Sequence, residues 1–235
     1  MFLHIFLYYF LLFMLYSIAG WIMEVIPVGI EKKKFINRGF FIGPYCPIYG
    51  FSAVMMILLL GRYHDDPFAL FILSLVACTF FEYVTSFIME KLFKARWWDY
   101  SDKTLNINGR VCLENSVIFG LLGCALIIIV NPFITNILSN VPDNVIDIFS
   151  SILLVLFIID NIFSFNIISK FKDTATSFIR KDNTEEISEK VKETLGKKSY
   201  LGKRLMDAFP NVKAIIPELK AKYQEQKRKI KEKIR

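Results

Sequence analysis

Asn37-Arg38-Gly39-Phe40-Phe41-Ile42-Gly43-Pro44-Tyr45-Cys46-Pro47-Ile48-Tyr49-Gly50 is a polar block set between two long apolar runs. A second block of the same kind runs from Arg96-Trp97-Trp98-Asp99-Tyr100 to Asn108-Gly109-Arg110-Val111-Cys112-Leu113-Glu114. The apolar runs on either side settle the class of fold. A hydrocarbon layer about 30 Å thick takes ~20 apolar residues of helix to cross, and several windows here meet that test. With 54% hydrophobic residues and a positive mean hydropathy, the chain reads as all-α, a polytopic membrane helical bundle of about five transmembrane helices.

The first span is expected over about Leu3–Ile26, with Phe6, Tyr8, Tyr9 and Phe10 as an interfacial aromatic belt and Pro27 and Gly29 ending it. It lacks a basic leader and an A-x-A site, so it reads as a retained helix. The second span, Pro47–Leu60, starts on a proline suited to a first helical turn. At 1.5 Å per residue it covers only roughly 20 Å. Either the bilayer thins there, or Phe40 to Tyr45 enters it as irregular backbone, which is tolerated only where protein or a cavity surrounds it. The remaining spans are expected over about Pro67–Phe93, Val111–Val130, broken by Asn131-Pro132, and Val145–Ser169.

Charge orients these spans. The Lys/Arg counts of the termini and connectors read 0, 4, 1, 5, 0 and 19 along the chain. That alternation is what the positive-inside rule expects of five spans with the N-terminus out and the C-terminus in, and it puts both polar blocks on the cytoplasmic side. Residues 1–168 carry ten Lys/Arg against twelve Asp/Glu, whereas 169–235 carry nineteen against ten. The division is therefore a transmembrane domain over 1–169 and a basic cytoplasmic tail over 170–235.

The tail carries amphipathic groups. Asn183 or Thr184 can cap a helix with Ile187, Val191 and Leu195 on one face. Tyr200, Leu201, Leu205, Met206 and Phe209 follow, and a third helix carries Ile215, Leu219 and Tyr223 into the basic run Lys227 to Arg235. Basic amphipathic helices favour anionic lipid head groups; a solvated tail is the competing reading.

A repeat runs through the first four spans. Ile22-Met23-Glu24, then Asn37-Arg38-Gly39 and Cys46, is echoed by Ile88-Met89-Glu90, then Asn108-Gly109-Arg110 and Cys112. A parallel repeat of two-helix units about the membrane normal would produce this; coincidence in a biased composition is the alternative. Cys46, Cys78, Cys112 and Cys124 have no C-x-x-C spacing and read as reduced packing residues.

The candidate site comes from acids placed in or near apolar spans. An ionised side chain at the bilayer centre costs about 3 kcal/mol on insertion scales, so such residues face the bundle interior and tend to have a role. Glu24, Glu82, Glu90, Glu114 and Asp160 are of this kind. Cys78, Glu82, Ser86 and Glu90 recur every fourth residue and make one polar stripe. Arg38, Arg96 and Arg110 flank the acids, beside Asp99 and Asn108, and Arg110 and Glu114 stand at i, i+4, where a helix starting by Arg110 would pair them. Three arginines and two helix starts suit an anion such as a phosphate. The carboxylates suit pairing with those arginines, a cation, or a proton. The ligand or ion site so drawn is Glu24, Arg38, Glu82, Ser86, Glu90, Arg96, Asp99, Asn108, Arg110 and Glu114. Structural pairing, with Trp97 and Trp98 as interface anchors, is the competing reading, and Asp160 is expected to be a helix–helix hydrogen-bond partner.

The sequence contains no G-x-x-x-x-G-K-[ST], G-x-S-x-G or H-E-x-x-H, and His4 and His64 fall on the side away from the polar blocks. No metal, cofactor or catalytic residue is expected.

At these residues the chain resembles the bacterial membrane family known as Putative ABC-transporter type IV, or ABC-transporter permease. The segments that carry the resemblance are Gly20-Trp21 with Glu24, the first polar block, Glu82 with Thr85-Ser86 and Glu90, Arg96-Trp97-Trp98-Asp99-Tyr100-Ser101, and Asn108-Gly109-Arg110 with Cys112 and Glu114. It covers about residues 10–130 and brings no established substrate-binding residues with it. The resemblance implies transport across the bacterial cytoplasmic membrane. The leading expectation is a permease or permease-like subunit. The alternatives are a membrane enzyme acting on a lipid-linked or phosphorylated substrate at the inner leaflet, and a non-transporting scaffold or sensor. Expected partners are the bilayer, anionic head groups met by the tail, an ATPase on a separate chain and a second copy of the protein; nothing points to nucleic acid.

Overall fold

The computed structural model describes residues 1–93, 95–177, 200–209 and 212–214, with side chains left undescribed at 95, 167–177, 200–202, 213 and 214. The fold is an all-α polytopic bundle. Its helices are α1 (Phe2–Lys32), α2 (Pro47–Leu60, extended by a 3-10 turn over Gly61–Tyr63), α3 (Pro67–Phe93), α4 (Leu113–Ala125), α5 (Asn131–Leu138), α6 (Asp143–Ser177) and α7 (Tyr200–Ala208). Among the described residues there are also four two-residue strands: β1 (Ala95–Arg96), β2 (Asn106–Ile107), β3 (Val111–Cys112) and β4 (Lys213–Ala214). Four described stretches are long and apolar enough to cross a membrane, Phe2–Lys32, Pro67–Phe93, Leu113–Leu138 and Asp143–Asn166; Pro47–Tyr63 is a shorter apolar helix. The helices of the tail expected from Thr184 and from Ile215 lie outside the described residues.

Three element boundaries differ from expectation, each for a local reason. Pro27 does not end the first helix but lies inside α1, which continues to Lys32 and stops where Lys33 turns left-handed at φ 51°. A proline there removes its own N–H bond and crowds the carbonyl one turn back, yet the helix runs on past it for five residues. The fourth helix starts at Leu113, not at Val111, because Val111 and Cys112 pair with Ile107 and Asn106. Asn108 and Gly109 both have positive φ, 54° and 66°, and the Arg110 N–H donates to the Ile107 carbonyl at 3.0 Å. Asn-Gly is the preferred pair for that primed hairpin turn. Asn131-Pro132 is no break either: the chain passes from α4 through a π turn over Leu126–Val130 into α5. Pro132 sits in the first turn of α5, where its missing N–H is not needed.

The chain divides into two compact units. The first comprises Met1–Thr85 and Asp99–Phe165. At one end of its core, Leu12 and Tyr16 of α1 pack on Ala53, Met56 and Leu60 of α2, with Leu70, Leu126 and Ile127. Beside it, Phe10, Met14, Phe41, Tyr45 and Phe157 form an aromatic cluster. Small residues set the α1–α2 spacing. A Cβ on Gly20 would overlap the Tyr49 ring, and one on Gly50 would overlap the Ser17 hydroxyl and the Phe13 carbonyl. Outward faces carry exposed Ile72, Val76, Phe80, Ile129, Ile152 and Leu156, as a surface solvated by lipid tails does. At the start of α1, His4 is 2.8 Å from Asp147 of α6.

The second unit comprises Ser86–Trp98 and the chain from Asn166 onward. Here β1 and β4 pair antiparallel, Ala95 opposite Ala214 and Arg96 opposite Lys213. Trp97 is 4% exposed and meets Phe209 edge-on at 5.3 Å. Trp97 is therefore a packing residue that holds the tail segment, not an interfacial anchor.

Candidate functional site

The first polar block is folded by a set of side chains that satisfy its backbone. Asn37 Oδ1 accepts from Trp21 Nε1–H at 2.7 Å and from the Gly39 N–H at 2.9 Å, while its Nδ2 donates to the Ile42 carbonyl at 3.1 Å. Asp160 of α6 accepts from the N–H groups of Ile42 (3.0 Å) and Gly43 (2.7 Å), from the Ser164 hydroxyl (2.7 Å) and from the Tyr45 hydroxyl. Phe41 and Tyr45 are 9% and 6% exposed and pack on Phe157 with ring centroids 6.0 and 5.6 Å apart. The irregular stretch before α2 is thus packed on α6 through Phe41 and Tyr45, while Ile42 and Pro44 stay exposed. Asp160 ties a loop to a helix, rather than a helix to a helix. Burial, then Asp160, pushes the Tyr45 phenol far above its ordinary range.

The block ends where the Cys46 N–H donates to the Ser17 carbonyl of α1 at 2.9 Å. Burial and then Glu24, partly opposed by Arg38, push the Cys46 thiol up to about 12, so it stays a protonated thiol at neutral pH. One turn into α2, the Tyr49 hydroxyl donates to Glu24 at 2.7 Å. Arg38 stands 3.7 Å from the same carboxylate. Glu24 therefore has both a cation and a phenol as partners.

Glu82 of α3 is held differently. It is 7% exposed. Tyr100 donates to its Oε1 at 3.2 Å, and its Oε2 is buried with no hydrogen-bond partner. Glu24 is close enough to Glu82 to act on it electrostatically. Tyr100 is positioned by the second block, its N–H donating to the Gly109 carbonyl at 2.8 Å. Burial, then Glu82, pushes its phenol far above the ordinary range. On the next residue of α3, the Tyr83 hydroxyl accepts from Asn108 Nδ2 at 2.9 Å, and the Arg110 guanidinium lies over its ring at 5.5 Å.

The structure thus brings Glu24, Arg38 and Glu82 together, with Asn108 and Arg110 on the adjoining Tyr83. The other candidates have contacts of their own. Glu114 pairs with exposed Lys103 at 2.9 Å, and it cannot pair with Arg110 in helical register because α4 begins three residues after Arg110. Asp99 accepts from the N–H and hydroxyl of Ser101 at 3.1 and 2.5 Å, which builds its turn. In the second unit, Glu90 holds Arg96 at 3.2 Å and Ser86 is buried. The tyrosines were not anticipated. Their signal was present: a phenol inside an apolar segment needs an acceptor, and each polar block contains one near an acid. The four cysteines are free thiols, and among the described residues no group of three or more His, Cys, Asp and Glu is placed to hold a metal.

Residues 11–165 match the family model described as Putative ABC-transporter type IV. No curated protein and no solved structure matches the chain.

Proposed function

The chain belongs to this family, and from that premise we propose that it is the membrane-spanning permease subunit of a transport system, its ligand entering from the cytoplasmic side at Glu24, Arg38 and Glu82. It is a multi-pass protein of the bacterial inner membrane with a permease-like role in the general sense the family carries. In the finer reading, α1, α2, α3, the α4–α5 pair and α6 are five spans with the N-terminus outside. Lys32, Lys33 and Lys34 then end the first span on the same side as Lys103 and Arg110. The reading of α1–α2 and α3–α4 as repeated units draws support from Cys46 and Cys112, each the extended residue that caps the second helix of its pair. An ATPase, where one drives transport, is a separate chain, and the basic tail meets anionic head groups.

The observation that carries this reading is Glu82. It is a buried carboxylate in an apolar helix, without a cation of its own and beside a second carboxylate. Such a residue weakens the bundle and is retained for what it does. The test is gentle extraction followed by native mass spectrometry. An ATP-hydrolysing subunit should accompany the chain, with an ATPase rate that responds to Glu82→Gln and not to Glu114→Gln. Recovery of the chain alone from nanodiscs and mild detergents would overturn the subunit assignment. Sidedness is checked with Lys33→Cys and Lys103→Cys in a cysteine-free background: both should react with a membrane-impermeant maleimide only in inverted vesicles, and reaction from opposite faces rejects the common cytoplasmic entrance.

A further inference from the structure

We propose that Glu82 is a proton-binding site: a neutral, exchangeable carboxylic acid inside the bundle, opened to the loop side through Tyr100. The inference concerns occupancy by a proton and does not depend on what the protein moves. Three observations carry it. First, Glu82 is 7% exposed even without lipid around the bundle. An ionised carboxylate there would lose several kcal/mol of hydration and would be expected to neutralise instead. Second, its two oxygens are unequally served. Oε1 has a single donor, the Tyr100 hydroxyl at 3.2 Å, and Oε2 has none. A carboxylate kept ionised in a protein interior collects several donors, as Asp160 does with four. Third, the acidic neighbour that acts on it gives no compensation. It is Glu24, a second carboxyl that already has Arg38 and Tyr49 as partners and whose neighbourhood disfavours a charge at Glu82.

The groups that face Glu82 from each side allow no other compensation. On its own helix the neighbours are the Cys78 thiol and Tyr83, whose ring carries Arg110. From α1 comes Glu24, whose carboxylate already accepts from Tyr49 of α2. From the second block comes Tyr100, with Cys112 behind it. No Lys or Arg among the described residues pairs with Glu82, whereas Glu24, Glu90 and Glu114 each have one. The proton route is correspondingly short. Tyr100 is a neutral phenol that both donates and accepts, so it can pass a proton from the loop to Oε1 and be reprotonated from the loop, with no net change in its own charge.

The experiment is infrared spectroscopy of the full chain in nanodiscs near pH 7, well above the ordinary glutamic acid value of about 4.3, where exposed carboxyls are ionised. The wild type should show a protonated-carboxyl C=O band that shifts on transfer to D2O. Glu82→Gln should remove that band, Glu114→Gln should keep it, and Glu82→Asp, which retains the acid, should move its frequency. Because the band is read first on the unaltered protein, a variant that fails to fold does not blunt the test. Absence of the band in the wild type overturns the proposal, as does a band untouched by Glu82→Gln or one that never exchanges in D2O. Carboxylate bands alone that respond to added Na+ at constant pH would assign the site to a metal cation instead.

Discussion

Replacing Asp160 with alanine should unfasten the first polar block and lower the stability of the whole first unit. Asp160 receives two backbone N–H groups and two hydroxyls. Two of the four donors recover readily. Ser164 can turn to a carbonyl of its own helix, and the Ile42 N–H lies in an exposed bond that water can replace. The Gly43 N–H and the Tyr45 hydroxyl are less accessible, and stranding a buried donor costs about 1–3 kcal/mol. The loss is then roughly 2–6 kcal/mol, which for a chain of this size is a fall in Tm of about 5–20 °C. Asp160→Asn keeps one acceptor oxygen and should fall about half as far. The assay is thermal unfolding in detergent or nanodiscs, with the maleimide reactivity of Cys46 as a local readout, since its backbone is tied to Ser17 at the end of the same block. Glu114→Gln, which removes one partner of an exposed pair, is the control and should cost less than about 1 kcal/mol. An Asp160→Ala protein with the control's Tm and unchanged Cys46 reactivity would refute the idea that this carboxylate holds the loop.

Alkaline pH should weaken the fold through its buried phenols. Tyr100 is held protonated by burial and Glu82, so the folded state keeps a proton that the unfolded chain releases above about pH 10. Its contribution is complete below that pH and is lost as pH rises further. Tyr100→Phe should flatten the fall in stability measured between about pH 9 and 11 without abolishing it, because Tyr45 is held up in the same way. The α1–α2 contact should reject even one methyl group. Gly50→Ala would drive a Cβ onto Ser17 and Phe13 and should cost about 1–3 kcal/mol, whereas Gly61→Ala, with nothing within 4 Å of the new carbon, should leave the unfolding midpoint within experimental scatter.

The split between what was legible in the chain and what was not follows the range of the interactions. Length and hydropathy are sums over contiguous residues, so the apolar helices, their all-α class and the oddly short Pro47–Leu60 element could be read directly. The acids inside apolar stretches were equally visible, because a charge among aliphatic residues stands out whatever it touches. Some local chemistry is legible as well: Asn108-Gly109 is a hairpin signal, and that hairpin displaces the start of α4 by two residues. Partnership was not legible. Glu24, Glu82 and Asp160 look alike in sequence. Only the close approach of α1 and α2 at Gly20 and Gly50 gives Glu24 its Tyr49. Only the loop folded against Phe157 brings Asp160 its four donors, and only the geometry of Tyr100 leaves Glu82 with an oxygen that nothing satisfies. A side chain's composition and place in a span are properties of the chain, but its free energy depends on what lies within a few ångströms, and residues more than a hundred positions apart, such as Gly43 and Asp160, meet only when the tertiary structure is complete.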